Sequence, residues 1–164
     1  MASDDQLAEI RADIDSIDKR LLELINARAE CARRVAEIKL AVSQDGDALF
    51  YRPEREAQIL RAIQEHNPGP LPADQAARIF REIMSSCLAL ERPLTVGFLG
   101  PAGTYSQAAA LKHLGQSAIL EPQPTIRDVF RSAEDRACDM AIVPVENSTE
   151  GMVGQTLDCF LESP

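Results

Sequence analysis

Apolar residues recur every seven positions from Leu7 to Val42, and this run constrains the chain more than any other feature. Leu7, Ile14, Leu21, Val35 and Val42 hold one seam position, with Arg28 standing among them, and Ile10, Ile17, Leu24, Cys31 and Ile38 hold the second. No Gly or Pro interrupts the pattern. A heptad sustained this far predicts one continuous helix, roughly 50 Å long at ~1.5 Å per residue. A compact domain made from residues 1–92 would be only about 25–30 Å across. Such a helix cannot bury its stripe on the short remainder of its own domain, so the pattern predicts a homodimer formed through the long N-terminal helix.

Ser43-Gln44-Asp45-Gly46-Asp47 should break that helix. Pro53, followed by Glu54 and Glu56, suits the start of a second helix, which Asn67-Pro68-Gly69-Pro70 ends near Glu65. A third helix from about Ala73 carries Ala76, Ile79, Phe80, Ile83, Met84, Cys87 and Leu88 on one face, and Pro93 stops it. The composition then changes. Six of the eight glycines and only four basic residues fall after Pro93. Short β-branched runs at Thr95–Leu99, Ala118–Glu121 and Met140–Val145 alternate with helical patterns at Gln107–Leu114 and Thr125–Arg136 and with a last helix before Pro164. Two loops stand out, Gly100–Ser106 and the polar stretch Glu146–Gly151. The expected organisation is an all-α three-helix domain over 1–92 and an incomplete α/β segment, βαβαβα with a parallel sheet, over 93–164.

Composition narrows the function. A net charge of −9 argues against binding nucleic acid or an anionic membrane over a broad face, but allows a small anion in a local basic pocket. There is no run of eighteen apolar residues, and the acidic N-terminus lacks the apolar core of a signal peptide. Four dispersed cysteines and two histidines make no zinc spacing. The expectation is a reduced, cytoplasmic protein with no metal, nucleic-acid or membrane partner.

Three charges sit where apolar side chains are expected. Arg28 occupies a seam position, and Lys39, eleven residues on, points to nearly the same side. Glu91 stands one turn after Cys87 on the apolar stripe of the third helix, where burial disfavours an ionised carboxyl. Cations in a core beside such an acid make a pocket for a small dianion. The alternative is a polar seam residue that fixes helix register, with solvated flanking charges. Arg11 lies about 25 Å along the axis from Arg28, so the two can grip one small molecule only across a dimer.

These residues resemble the all-helical chorismate mutases. Ile10-Arg11-Ala12-Asp13-Ile14-Asp15-Ser16-Ile17-Asp18 looks like their opening motif, and Arg28, Lys39 and Tyr51-Arg52-Pro53-Glu54-Arg55-Glu56 match in kind and spacing. Val96-Gly-Phe-Leu-Gly-Pro-Ala-Gly-Thr-Tyr-Ser106 is similar to the first motif of prephenate dehydratases, and Val143-Pro-Val-Glu-Asn-Ser-Thr-Glu-Gly151 to their second. In this order the motifs resemble the bifunctional P-protein family, chorismate mutase fused to prephenate dehydratase.

The resemblance implies an intertwined dimer in which Arg28, and Arg11 from the other subunit, grip the substrate carboxylates. It implies that Lys39 reaches the ether oxygen, that Glu56 accepts from the ring hydroxyl and that Arg55 supports the carboxylate end. Arg52 matches a position often acidic in the family, Cys87 one where a serine can bond the ring carboxylate, and Glu91 one where a glutamine can donate to the ether oxygen. Thr104, Ser106, Asn147 and Ser148 would line the dehydratase half-site. The implied reaction, the pericyclic shift of chorismate to prephenate in phenylalanine and aromatic amino acid biosynthesis, needs no cofactor. The family's later Thr-Arg-Phe motif and its regulatory domain are absent from the sequence, so dehydratase activity and phenylalanine inhibition are expected to be absent. The rival function is a non-catalytic dimeric helical module that binds a small dicarboxylate.

Overall fold

The computed structural model describes residues 2–42, 50–149 and 151–163. It divides into two compact units, Met1–Ala48 and Leu49–Pro164. The first is built on one helix, α1 (Ala2–Val42), of 41 residues. It contains the whole heptad run, with Asp4 and Asp5 in its first turn and Lys39 in its last, as the helix dipole favours. Its seam residues Leu7, Ile10, Ile14, Ile17, Leu21 and Leu24 are all about half exposed or more, from 49% to 65%. The expected break at Ser43–Asp47 lies outside the described residues.

The second unit opens with a helical pair, α2 (Pro53–His66) and α3 (Ala73–Glu91). Pro53 takes the first helical position of α2, and the Arg52 carbonyl accepts from the N–H groups of Arg55 and Glu56, both at 3.1 Å. The turn between the helices is built by Asn67, whose side chain donates to the Leu71 carbonyl (2.6 Å) and accepts from Gly69 N–H (3.3 Å). Ala76, Ala77, Met84, Ser85 and Cys87 form the buried face of α3.

An α/β layer follows. Strand β1 (Thr95–Leu99) is central, flanked in parallel by β2 (Ile119–Gln123) and β3 (Met140–Ile142). Val96 and Phe98 are fully buried on one face of β1, where Val96 joins Leu94, Leu114 and Leu88 in a cluster. Gly97 points to the other face, where a Cβ would lie 2.6 Å from Ser132 Oγ on α5 (Ile126–Glu134). Helix α4 (Tyr105–Leu114) ends in this cluster, so helices cover both faces of the sheet. Helix α6 (Gly154–Glu162) packs on α5 through the edge-to-face pair Phe130–Phe160, with centroids 5.0 Å apart.

Helix α3 is clamped to this layer. Glu82 accepts from Gln116 N–H at 3.0 Å and Ser85 Oγ from Ser117 N–H at 3.3 Å. Asp139 ties the C-terminus of α3 to the sheet, bonding Arg92 at 2.5 Å and Thr95 N–H at 2.8 Å.

The order of elements agrees with the pattern read from the sequence, and several ends differ for local reasons. Strand β2 runs two residues beyond Glu121, because an edge strand accommodates Pro122. Strand β3 stops at Ile142 before Pro144. Helix α5 ends at Glu134, where Asp135 N–H caps the Arg131 carbonyl and Arg136 takes a φ of 57°. Thr125 caps α5 as its position suggests, accepting from Asp128 N–H. The stretch read as a plain polar loop holds a small antiparallel hairpin, β4 (Glu146–Asn147) with β5 (Gly151–Met152).

Candidate active site

The expected mutase residues fall on α1, on or just before α2, and on α3. Arg11, Arg28 and Lys39 stand on α1, Arg11 exposed and the other two half-buried. The nearby Glu30 is engaged by Arg33, one turn on, at 2.9 Å. That bond holds its carboxyl below the usual range and leaves it bound to a flank residue, not to the seam.

In the second unit, Arg52 precedes α2, and Arg55 and Glu56 lie in its first turn. Arg52 and Arg55 are exposed and Glu56 is half-buried. Cys87 and Glu91 lie four residues apart on α3, so they share a face. Cys87 is buried and Glu91 half-buried.

Glu56 has the most developed surroundings. Arg81 on α3 places its Nε 3.7 Å from Glu56 Oε1, with only 24% and 17% of the two side chains exposed. Burial pushes the Glu56 carboxyl up, and Arg81, His113 on α4 and the Tyr51 hydroxyl oppose that rise. Burial and the adjacent Glu56 charge push the Tyr51 hydroxyl up to about 12. The sequence alone points to no role for Arg81 or Tyr51. Arg81 carried a readable signal, since it lies four residues after Ala77 and three before Met84, on the buried stripe of α3.

The dehydratase-type residues follow strands β1 and β3. The loops after β1 and β3 both leave the carboxyl ends of adjacent parallel strands, the usual ligand edge of an α/β sheet. Thr104 is the N-cap of α4, and its hydroxyl donates to the Leu99 carbonyl at 3.3 Å. Ser106 lies in the first turn of α4, which starts two residues before the pattern suggested. Asn147 is on β4, where its side chain accepts from Thr149 N–H at 3.0 Å, and Ser148 is exposed in the turn beyond it.

Comparison with known proteins gives matches to both parts of the sequence. A family model described as chorismate mutase type II matches residues 10–92, and one described as prephenate dehydratase matches 96–164. A protein of Pseudomonas aeruginosa named bifunctional chorismate mutase/prephenate dehydratase is 56% identical over 163 residues, covering 99% of this chain and 45% of the relative. Proteins of the same name in Neisseria gonorrhoeae and Escherichia coli K12 are 51% and 28% identical, covering 94% and 96% of this chain and 41% and 44% of their own lengths. The chain thus spans less than half the length of these relatives. With just over half of its residues matched by one family model, the chain belongs to the chorismate mutase type II family, and its residues 96–164 are similar to prephenate dehydratases.

Proposed function

We propose that this chain rearranges chorismate to prephenate in a homodimer built along α1, with each active site drawing on both subunits. The observation that carries the reading is the family match over 10–92, the stretch that holds Arg11, Arg28, Lys39, Arg55, Glu56, Cys87 and Glu91, to which the resemblance gives the site roles. The half-exposed seam of α1 supports the dimer, since a contiguous apolar stripe of this length calls for a partner. The reading assigns a mutase domain to 1–92 and the N-terminal part of a dehydratase domain to 93–164, a division supported by the family matches over 10–92 and 96–164. No helix among the described residues is long and apolar enough to cross a membrane. Its four cysteines are free, which suits the reducing cytoplasm.

The chemistry asks two things of the site. It must hold the diaxial chair form of the substrate, a positioning task for the arginines and Glu56. It must also stabilise the negative charge that grows on the ether oxygen as the C–O bond breaks. Lys39 can donate there directly. Glu91 can donate only in its protonated form, because an ionised carboxylate has no proton to give. Thr104, Ser106, Asn147 and Ser148 would contribute part of a prephenate site at the sheet edge.

The test is to give the purified chain chorismate and follow prephenate and phenylpyruvate separately. Prephenate without phenylpyruvate is the expected result. Neither product, from a folded dimer, would overturn the reading and leave a dicarboxylate-binding module.

A further inference from the structure

We propose that Arg81 is a positioning residue for the mutase reaction, holding the Glu56 carboxylate of α2 aimed and charged from its place on α3. Arg81 has this role only if the mutase reading holds and Glu56 meets the substrate hydroxyl.

The geometry carries the proposal. A carboxylate in the first turn of a helix is free to swing among rotamers unless something holds it. Arg81 approaches through Nε, 3.7 Å from one oxygen, Oε1. Among the described residues that Nε is buried and makes no hydrogen bond. The gap is a few tenths of an ångström beyond a hydrogen bond, so a small closure of α3 on α2 satisfies a group that is costly to leave unpaired. A carboxylate has about four lone-pair sites, so contacts with Arg81 and the Tyr51 hydroxyl do not exhaust its capacity to accept from a substrate hydroxyl. Tyr51 and His113 are the other titratable groups acting on Glu56, and both favour its charged form, as Arg81 does. Only burial works against it. A chain without Arg81 would therefore leave Glu56 half-buried with weaker support for its charge.

The arrangement also ties the helical pair to the α/β layer within the second unit. Arg81 precedes Glu82, which caps Gln116, and Ser85 follows one turn later against Ser117. The α3 segment that holds Glu56 is thus itself fixed by the α/β layer.

The experiment compares mutase kcat/KM from pH 5 to 9 for the unsubstituted chain, Glu56→Gln, Arg81→Met, Arg81→Gln and Arg81→Lys, each checked by circular dichroism and size. The expected result is a loss in Arg81→Met of about tenfold at the acid end and much less at pH 8, carried mainly by KM. Arg81→Lys should restore most of the acid-end activity, and Glu56→Gln should show no acid-end loss beyond its own pH-independent defect. Arg81→Gln carries the same expectation should the Met variant fail to fold. A purely structural Arg81 would lower activity equally at every pH. An equal loss across the range, or a profile unchanged by both neutral variants, overturns the proposal. An inactive unsubstituted chain overturns the mutase reading and this proposal together, while an active chain with unchanged profiles overturns this proposal alone.

Discussion

Gly115 sits where α3 meets the α/β layer, and its replacement by alanine tests whether that contact is as close as described. Two costs follow from the geometry. Its φ of 81° and ψ of 180° lie in a region reached essentially by glycine alone, and a side chain there costs about 1–3 kcal/mol. The added Cβ would also stand 2.5 Å from Ser85 Cβ and 2.6 Å from Ser85 Oγ, which the buried helix face cannot relieve by a rotamer change. Overpacking of that kind costs about 1–3 kcal/mol. Together these give about 4 kcal/mol, or a fall in Tm of roughly 10–20 °C for a unit of this size. Urea denaturation followed by circular dichroism reads the change from the midpoint at constant slope. Gly154→Ala is the matched control, since nothing lies within 4 Å of its added Cβ. Adding Ser85→Gly to the Gly115 variant should recover the crowding part and leave the backbone part, apart from about 1 kcal/mol for a glycine inside a helix and about 1 kcal/mol for the lost bond from Ser117 N–H. A Gly115→Ala protein within about 1 kcal/mol of the parent would refute the close approach of α3 to this turn.

Three further outcomes are expected. Arg28→Leu should lower mutase kcat/KM by about a hundredfold or more while leaving the melting temperature unchanged or higher, because an apolar seam residue suits the heptad; retained activity would return Arg28 to a register role. Glu91→Gln should retain mutase activity at pH 8, since an amide donates at any pH; a complete loss there would exclude Glu91 as a donor to the ether oxygen. Tyr51 holds its phenolic proton more tightly folded than unfolded, so its share of stability is complete below about pH 10 and is lost as pH rises toward about 12. Tyr51→Phe should flatten that alkaline decline in denaturation midpoint, and an identical decline in both proteins would contradict the burial of the hydroxyl.

How far the sequence could be read depended on the range of the interaction involved. Helix α1 was legible from period alone, because forty residues without Gly or Pro leave few alternatives. The α2–α3 turn was legible because Asn67, Pro68 and Gly69 impose it locally. Strand ends were not, since Pro122 within β2 and Pro144 after β3 are decided by which strand lies at the edge and which is shortest. The β4–β5 hairpin was not legible, because two-residue strands of exposed residues carry no alternation. At the site, the charges on α1 and Glu91 could be picked out by their clash with an apolar stripe. The pairing of Glu56 with Arg81 could not, because it needs the register of α2 against α3. The caps from Glu82, Ser85 and Asp139 are side-chain bonds to backbone groups more than thirty residues away, which no local pattern records.

The most direct test of a site shared between two chains is complementation. Arg11→Ala and Lys39→Ala variants should each be nearly inactive alone. Mixed in equal amounts under conditions that exchange subunits, half the dimers pair one of each, and each such dimer regains one intact site. Mutase activity should then return to about a quarter of the unsubstituted level. A mixture that stays as inactive as its components, despite proven subunit exchange, would contradict the shared active site.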